Sequence, residues 1–358
     1  MKLLDLTLRE GEQRPGVEYS VDEKVAAARE LDALGVDYVQ LGFPVADDRT
    51  RRVCERVDLD ATTTGIARAI PGDVDAAIDA GVDAVNVFAP TSDRQLEHVL
   101  GTNREAMVDA VVAAADRARE AGVEVHFDAM DGFRTDPSQL TALFERVDAE
   151  LYTIADTVGG RTPTGVHEHL DAIDVPVSRL GVHFHDDLGA ATANTLAAAR
   201  RGVARADVSI AGIGERAGNA SLEEFVASIA VGDEPVTLDV DADELLPVAH
   251  AVLDALGEDV EPTKPLLGEE VFAHESGLHT AAMLDDPSTF EGFDPAQFGG
   301  RRRLLFGSAT GAGAARRLLE RAGREATDDR VQRLLDELDA ADGELSLDAA
   351  VALAGELD

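Results

Sequence analysis

Short apolar runs alternate with Ala-rich amphipathic stretches from residue 3 to about residue 230. The runs at 3–7, 37–43, 61–65, 84–89, 123–129, 151–155, 180–184 and 206–211 have the length and branched-chain content of buried strands. Between them, 21–34, 74–80, 104–121, 138–147, 164–173 and 192–200 repeat apolar residues at a helical period. Several of these stretches stop at a glycine (Gly35, Gly81, Gly122, Gly202), as helix C-termini often do. Eight β-then-α units predict a (β/α)8 TIM barrel. A doubly wound open sheet is the alternative, but it would more often hold fewer strands. From about residue 233 the pattern changes to a helical stretch at 242–256, a Pro- and Gly-punctuated segment at 262–311, and helices near 313–322 and 328–342. The expected domains are therefore a catalytic barrel over 1–232 and a smaller, mainly helical C-terminal region over 233–358.

In such a barrel, chemistry sits where the strands end. The polar residues just past the expected ends are Arg9 and Glu10, Asp131 and Arg134, Asp156 and Thr157, His183 and His185, and Glu215 to Asn219. All five groups fall on one predicted face, which argues for an enzyme.

The composition narrows the partners. Of 358 residues, 70 are acidic and 32 basic, a net charge of −38, and only Lys2, Lys24 and Lys264 are lysines. So acidic a surface repels phosphate, which argues against nucleic acid or an anionic membrane as partner. It suits a salt-rich cytoplasm, where molar salt shortens electrostatic repulsion to about 3 Å. The single Cys54 excludes an internal disulfide framework and fits a reducing compartment. No stretch reaches membrane-span length, and no basic-then-apolar leader precedes the first strand, so a cytoplasmic protein is expected.

His183 and His185 stand two apart on an expected strand end, so both rings share one face. Two imidazoles on one face can begin a divalent metal site, and Glu10 on another strand end would add an oxygen. That mixed donor set suits Mg²⁺, Mn²⁺, Zn²⁺ or Co²⁺ and leaves positions open for substrate oxygens. Arg9 beside it could stabilise an enolate or alkoxide, or could simply pair with Glu10 in a loop. The run Gly212-Ile-Gly214-Glu-Arg-Ala-Gly218-Asn219 looks superficially like a dinucleotide fingerprint. It follows the eighth strand rather than the first, so tight backbone turns at the barrel mouth explain it better; Asn219 could add an amide oxygen to the metal. His274 and His279, five apart, could be functional or an interface pair; His98, His126, His167, His169 and His250 carry no pattern.

Taken together, Asp5-Leu-Thr-Leu-Arg-Glu-Gly-Glu-Gln13, Gly42-Phe-Pro44, Ala155-Asp-Thr-Val-Gly159, His183-Phe-His-Asp-Asp-Leu-Gly189, Gly212–Asn219 and Phe272-Ala-His-Glu-Ser-Gly-Leu-His279 resemble, in order, the 2-isopropylmalate, homocitrate and citramalate synthase family of the DRE-TIM metallolyase superfamily. The resemblance implies a TIM barrel that binds a divalent metal, condenses acetyl-CoA with a 2-oxo acid, and hydrolyses the resulting thioester. It implies Glu10, His183, His185 and Asn219 as metal ligands and Arg9 as the group that polarises the keto oxygen. Thr157, Gln13 and Arg134 would belong to the oxo-acid pocket. His279 would reach an active site, that of the partner in a homodimer, and a C-terminal regulatory domain is expected to be absent.

Three positions depart from the family pattern: Gln40 and Met130 stand where glutamates are usual, and Phe290 stands for a tyrosine. The last two concern acid–base chemistry, where losing one positioned group typically costs roughly 10²–10⁴-fold. Glu10 resembles homocitrate synthases, while Gly65 lacks the histidine they tend to carry and Ser221-Leu-Glu-Glu224 reads like isopropylmalate synthases. The first expectation is thus an acyltransferase acting on 2-oxoisovalerate in leucine biosynthesis. A carbon–carbon lyase of the same superfamily and a catalytically degenerate binding paralogue are the alternatives.

Overall fold

The computed structural model describes residues 1–357. Eight parallel strands close into a barrel in sequence order: β1 (Lys2–Asp5), β2 (Tyr38–Gly42), β3 (Thr62–Arg68), β4 (Ala84–Pro90), β5 (Glu124–Met130), β6 (Leu151–Asp156), β7 (Leu180–Phe184) and β8 (Arg205–Val208), which returns to pair with β1. The chain makes a barrel because each strand is followed by a helix whose apolar stripe covers it. The helix Val21–Leu34 shows how sharply the sequence sets such a unit. Ser20 and Glu23 cap its start reciprocally, Val25, Ala28, Leu31 and Leu34 are buried, and Gly35 ends it at a left-handed φ of 91°.

Two details differ from the sequence pattern. The first strand stops at Asp5 because Thr7–Glu10 turns into a single helical turn, which swings Glu10 over the barrel mouth. The last strand stops at Val208, since Ala211 takes a left-handed backbone (φ 56°) in the turn Ile210–Gly212. Helices Arg49–Cys54 and Leu222–Val231 supply the α part of the second and eighth units.

The chain divides into two compact units, residues 1–259 and 260–358. The expected boundary at 232/233 therefore lies too early. Helix Leu245–Leu256 buries Leu245, Leu246, Val248, Ala249, Val252, Leu253 and Leu256, and it packs on Val21–Leu34 as part of the barrel unit. An amphipathic stripe says that a helix packs, not on what.

In the second unit, a three-stranded sheet of β9 (Ala273–His274), β10 (Arg303–Phe306) and β11 (Leu345–Ser346) joins helices Gly277–Met283, Ala312–Arg321, Asp328–Ala340 and Leu347–Glu356. Phe306, Leu318, Leu319, Leu334 and Leu338 form its core. No helix among the described residues is long and apolar enough to cross a membrane.

Candidate active site

A cavity of about 170 Å³ opens at the C-terminal ends of the barrel strands. Arg9, Glu10, Gln13, Ile66, Phe88, Asp128, Met130, Thr153, Ala155, Thr157, His183, His185, Asp207 and Glu215 line it. Ligand atoms of Glu10, His183 and His185, all buried, lie within 4.8 Å of one another. The strand period brings the two imidazoles together: their Nε2 atoms are 3.3 Å apart, and His183 Nε2 is 3.8 Å from Glu10 Oε1. Asn219 reaches the same point, its Nδ2 3.5 Å from His183 Nε2. The loop carrying it is tightly folded: Asp186 N donates to Gly218 O at 2.9 Å, and at Gly218 (φ 90°) a Cβ would fall 1.9 Å from Gly212 O. That contact supports a backbone role for these glycines.

The electrostatics keep the cluster ready to act as a ligand set. Burial opposes ionisation of Glu10, but Arg9, His183 and His185 outweigh it and hold the carboxyl below the usual range. Burial, aided by the neighbouring His183, pushes His185 down to about 4, so its ring is neutral. Buried Asn219 Oδ1 and His185 Nδ1 have no hydrogen-bond partner. Since amide oxygen and nitrogen can be exchanged by a half-turn, Asn219 can present its unpartnered oxygen to the cluster. One carboxylate, two imidazoles and a spare amide oxygen fit a divalent cation.

Arg9 does pair with Glu10, yet it remains on the cavity wall, donating through Nε to Gln40 Oε1 at 2.6 Å and through one terminal nitrogen to Gln13 Oε1 at 3.1 Å. Gln40 thus accepts from the guanidinium where a glutamate would have neutralised it. Thr157 Oγ1 accepts from Asp131 N at 2.8 Å, which leaves its hydroxyl hydrogen free for another acceptor. Arg134 departs from expectation. It forks onto both carboxylate oxygens of Asp131 at 2.7 Å and is not among the lining residues. At Gly65 a Cβ would meet Pro44 at 3.0 Å, and it is the next residue, Ile66, that lines the cavity. His279 belongs to the second unit, stacked on Phe290 with ring centroids 3.9 Å apart.

Beneath the cluster lies a layer that composition and spacing gave no sign of. Asp128, Thr153, Gly181 and Arg205 stand in register across β5 to β8, and Ala155, His183 and Asp207 stand one level higher. Arg205 is fully buried. A Cβ at Gly181 would lie 2.9 Å from Leu151 and 3.2 Å from Thr153 Oγ1, so the glycine leaves room for those two side chains. Arg205 donates to Asp207 Oδ1 at 2.9 Å, to Thr153 Oγ1 at 2.7 Å and to His126 Nδ1 at 2.7 Å. Because arginine never accepts, His126 carries its proton on Nε2 and donates it to Glu124 at 2.8 Å. Asp207 in turn stands 3.5 Å behind His183 Nδ1. Burial disfavours its charge, but Arg205 and His183 prevail and hold the carboxyl below its ordinary range. A carboxylate behind a ring nitrogen fixes the tautomer and leaves Nε2 free for the cluster.

The HMGL-like family model matches residues 1–252, and a homocitrate synthase post-HMGL domain-like model matches residues 266–344. Among curated relatives, a 2-isopropylmalate synthase of Methanopyrus kandleri is 40% identical, covering 94% of this chain and 68% of its own. A homocitrate synthase of the same organism is 37% identical over 94% of this chain and 86% of its own. A citramalate synthase, also from that organism, is 36% identical over 94% and 67%. Among solved structures, a hydroxymethylglutaryl-CoA lyase from Pseudomonas aeruginosa matches with a TM-score of 0.64 at 24% identity, covering 72% of this chain and 93% of its own. That likeness concerns the barrel fold alone.

Proposed function

The chain belongs to the HMGL-like family, with a homocitrate synthase post-HMGL domain-like region behind the barrel, and from that premise we propose that it is an acyltransferase condensing acetyl-CoA with a 2-oxo acid. The observation that carries the reading is the buried Glu10, His183 and His185 cluster with Arg9 on the same cavity wall. Asn219 completes the proposed ligand set. A bound Mg²⁺, Mn²⁺ or Zn²⁺ would supply Lewis-acid polarisation of the substrate's oxygens. Arg9, held in place by Gln40 and Gln13, stabilises the negative charge that develops as the keto oxygen becomes an alkoxide. Thr157 offers its free hydroxyl hydrogen to the oxo acid's carboxylate.

The cavity argues for the substrate class. Ile66, Phe88, Met130 and Ala155 supply apolar wall, and Arg9 is the one cation among the lining residues. Asp128, Asp207 and Glu215 line it with negative charge. A second carboxylate, as on 2-oxoglutarate, would find among these lining residues no cation besides Arg9 to pair with. We therefore favour a small 2-oxo monocarboxylate with an alkyl side chain, 2-oxoisovalerate first and pyruvate next. A place in leucine biosynthesis follows from the first choice; a homodimer, with His279 serving a partner's site, and a salt-rich cytoplasm are parts of the same proposal.

The test is CoA release from acetyl-CoA with Mg²⁺ or Mn²⁺ in molar KCl, over a panel of 2-oxo acids. Release should be fastest with 2-oxoisovalerate or pyruvate and weakest with 2-oxoglutarate. No release with any acid would sink the acyltransferase reading, and cleavage of a hydroxyacyl-CoA instead would point to a lyase.

A further inference from the structure

Condensation requires that a proton leave the acetyl methyl group, and the cavity must hold a group to take it. Met130, at the end of β5, is a thioether and cannot. Among the described residues lining the cavity, the side chains with basic capacity are four carboxylates and the two imidazoles. The imidazoles and Glu10 form the proposed metal cluster. Asp207 is committed to Arg205 at 2.9 Å and to His183 at 3.5 Å. Glu215 pairs with Arg216 at 2.9 Å on the exposed rim.

Asp128 is different. It precedes Met130 by two residues on β5, so the two side chains point to the same side, and both line the cavity. Its hydrogen-bond donor is a neutral amide: Asn86 Nδ2 reaches its two oxygens at 3.0 and 3.3 Å. It also makes one long ion pair, to the Arg205 guanidinium at 3.6 Å, against the 2.9 Å of Asp207. Each carboxylate oxygen has two lone pairs, so the Asn86 amide leaves acceptor capacity on both. The side chain keeps 18% of its surface open. This is a carboxylate oriented from below by Asn86 and partly open to the cavity, beside its apolar wall.

We propose that Asp128 is the general base of the condensation, taking from β5 one level lower the role that Met130 cannot fill. The inference rests on the acyltransferase reading above. Asp128 accepts a methyl proton from acetyl-CoA as the C–H electron pair delocalises onto the thioester oxygen. That pair then closes the carbon–carbon bond to the keto carbon, whose π electrons move to its oxygen. The alkoxide takes that proton back from Asp128 through water, so the step moves one proton from carbon to oxygen and returns Asp128 to its ionised form. Water then splits the thioester, its hydroxyl going to the acyl carbon and its hydrogen to the CoA sulfur.

The experiment compares the parent with Asp128→Asn and with Asp128→Asn combined with Met130→Glu. Asp128→Asn should lower kcat by roughly 10²–10⁴-fold, leave the KM for the oxo acid within about threefold, and leave Mn²⁺ affinity by calorimetry unaltered. It should equally slow loss of label from methyl-tritiated acetyl-CoA. Adding Met130→Glu should recover at least about tenfold of the lost rate, which a purely structural role for Asp128 would not allow. Asp128→Ser, smaller and still able to accept from Asn86, gives the same reading if the asparagine variant does not fold. A parent that releases CoA while the Asp128 variants keep kcat within about threefold overturns this assignment alone. A parent that releases no CoA removes the acyltransferase reading and this inference with it.

Discussion

Replacing Asp5 by asparagine should stabilise the protein in alkali. Asp5 is fully buried at the end of β1, where Thr7 N and Thr7 Oγ1 donate to its two oxygens at 2.9 Å. Burial, with the nearby Glu223 charge adding to it, pushes the carboxyl up from its ordinary 3.8 to about 7 despite those two hydrogen bonds. The folded chain therefore holds a proton that the unfolded chain releases, so folding loses ground as pH climbs from about 4 to about 7 and stays depressed above that. At about 1.4 kcal/mol per pH unit, the whole interval amounts to roughly 4 kcal/mol. Between pH 5 and pH 8.5 about two of those units remain, roughly 3 kcal/mol. An asparagine of the same shape carries no charge and keeps the acceptor for Thr7 N. It gives up one Thr7 contact, a cost of about 1 kcal/mol. Guanidinium unfolding at the two pH values, in constant molar KCl, reads the difference. Asp5→Asn should be more stable than the parent at pH 8.5 by about 2 kcal/mol and equal to it or slightly weaker at pH 5. A variant that tracks the parent's pH dependence, or is weaker at both, refutes the reasoning.

Two further substitutions probe the site's frame. Asp207→Asn, which turns the carboxylate behind His183 Nδ1 into an amide, should weaken Mn²⁺ binding by about 10–100-fold; calorimetry within about threefold of the parent would remove Asp207 from that role. Gly218→Ala forces a Cβ against Gly212 O at a left-handed φ, with a strain of roughly 1–3 kcal/mol. It should lower Tm and Mn²⁺ affinity together because Asn219 is the next residue, and a variant with both unchanged contradicts the tight-turn account.

The barrel was legible because eight strand-like runs and their covering helices each carry their own periodicity. The cluster of Glu10, His183 and His185 was legible for a related reason. A spacing of two on a strand fixes a shared face, and strand ends in a barrel converge. What local pattern could not convey is which way each inner residue faces and what meets it across the barrel. Arg205 lies one residue before the expected strand at 206–211, and its partners lie on β5, β6 and β8. His126 showed no motif because its partner, Arg205, is 79 residues away. At Gly65 the pattern gave no sign that the neighbouring Ile66 is the residue lining the cavity. The C-terminal boundary moved because helix Leu245–Leu256 carries a plain apolar stripe, and only the tertiary fold assigns it to the barrel.

Most small barrels fill this level with branched aliphatic side chains, which can be exchanged one at a time for others of like volume. Here the filling is Arg205 with Asp128, Thr153, His126 and Asp207, contributed by β5, β6 and β8 beside Gly181 on β7. Removing Arg205 or Asp207 from the buried pair at its centre costs about 3–5 kcal/mol, a large part of the stability a domain ordinarily has. The route by which chains of this kind acquire new substrates is therefore stepwise in blocks. Relatives that lack an arginine at position 205 should also differ at 126 and 207, and a library that randomises those three positions together should yield folded variants where a library at position 205 alone fails.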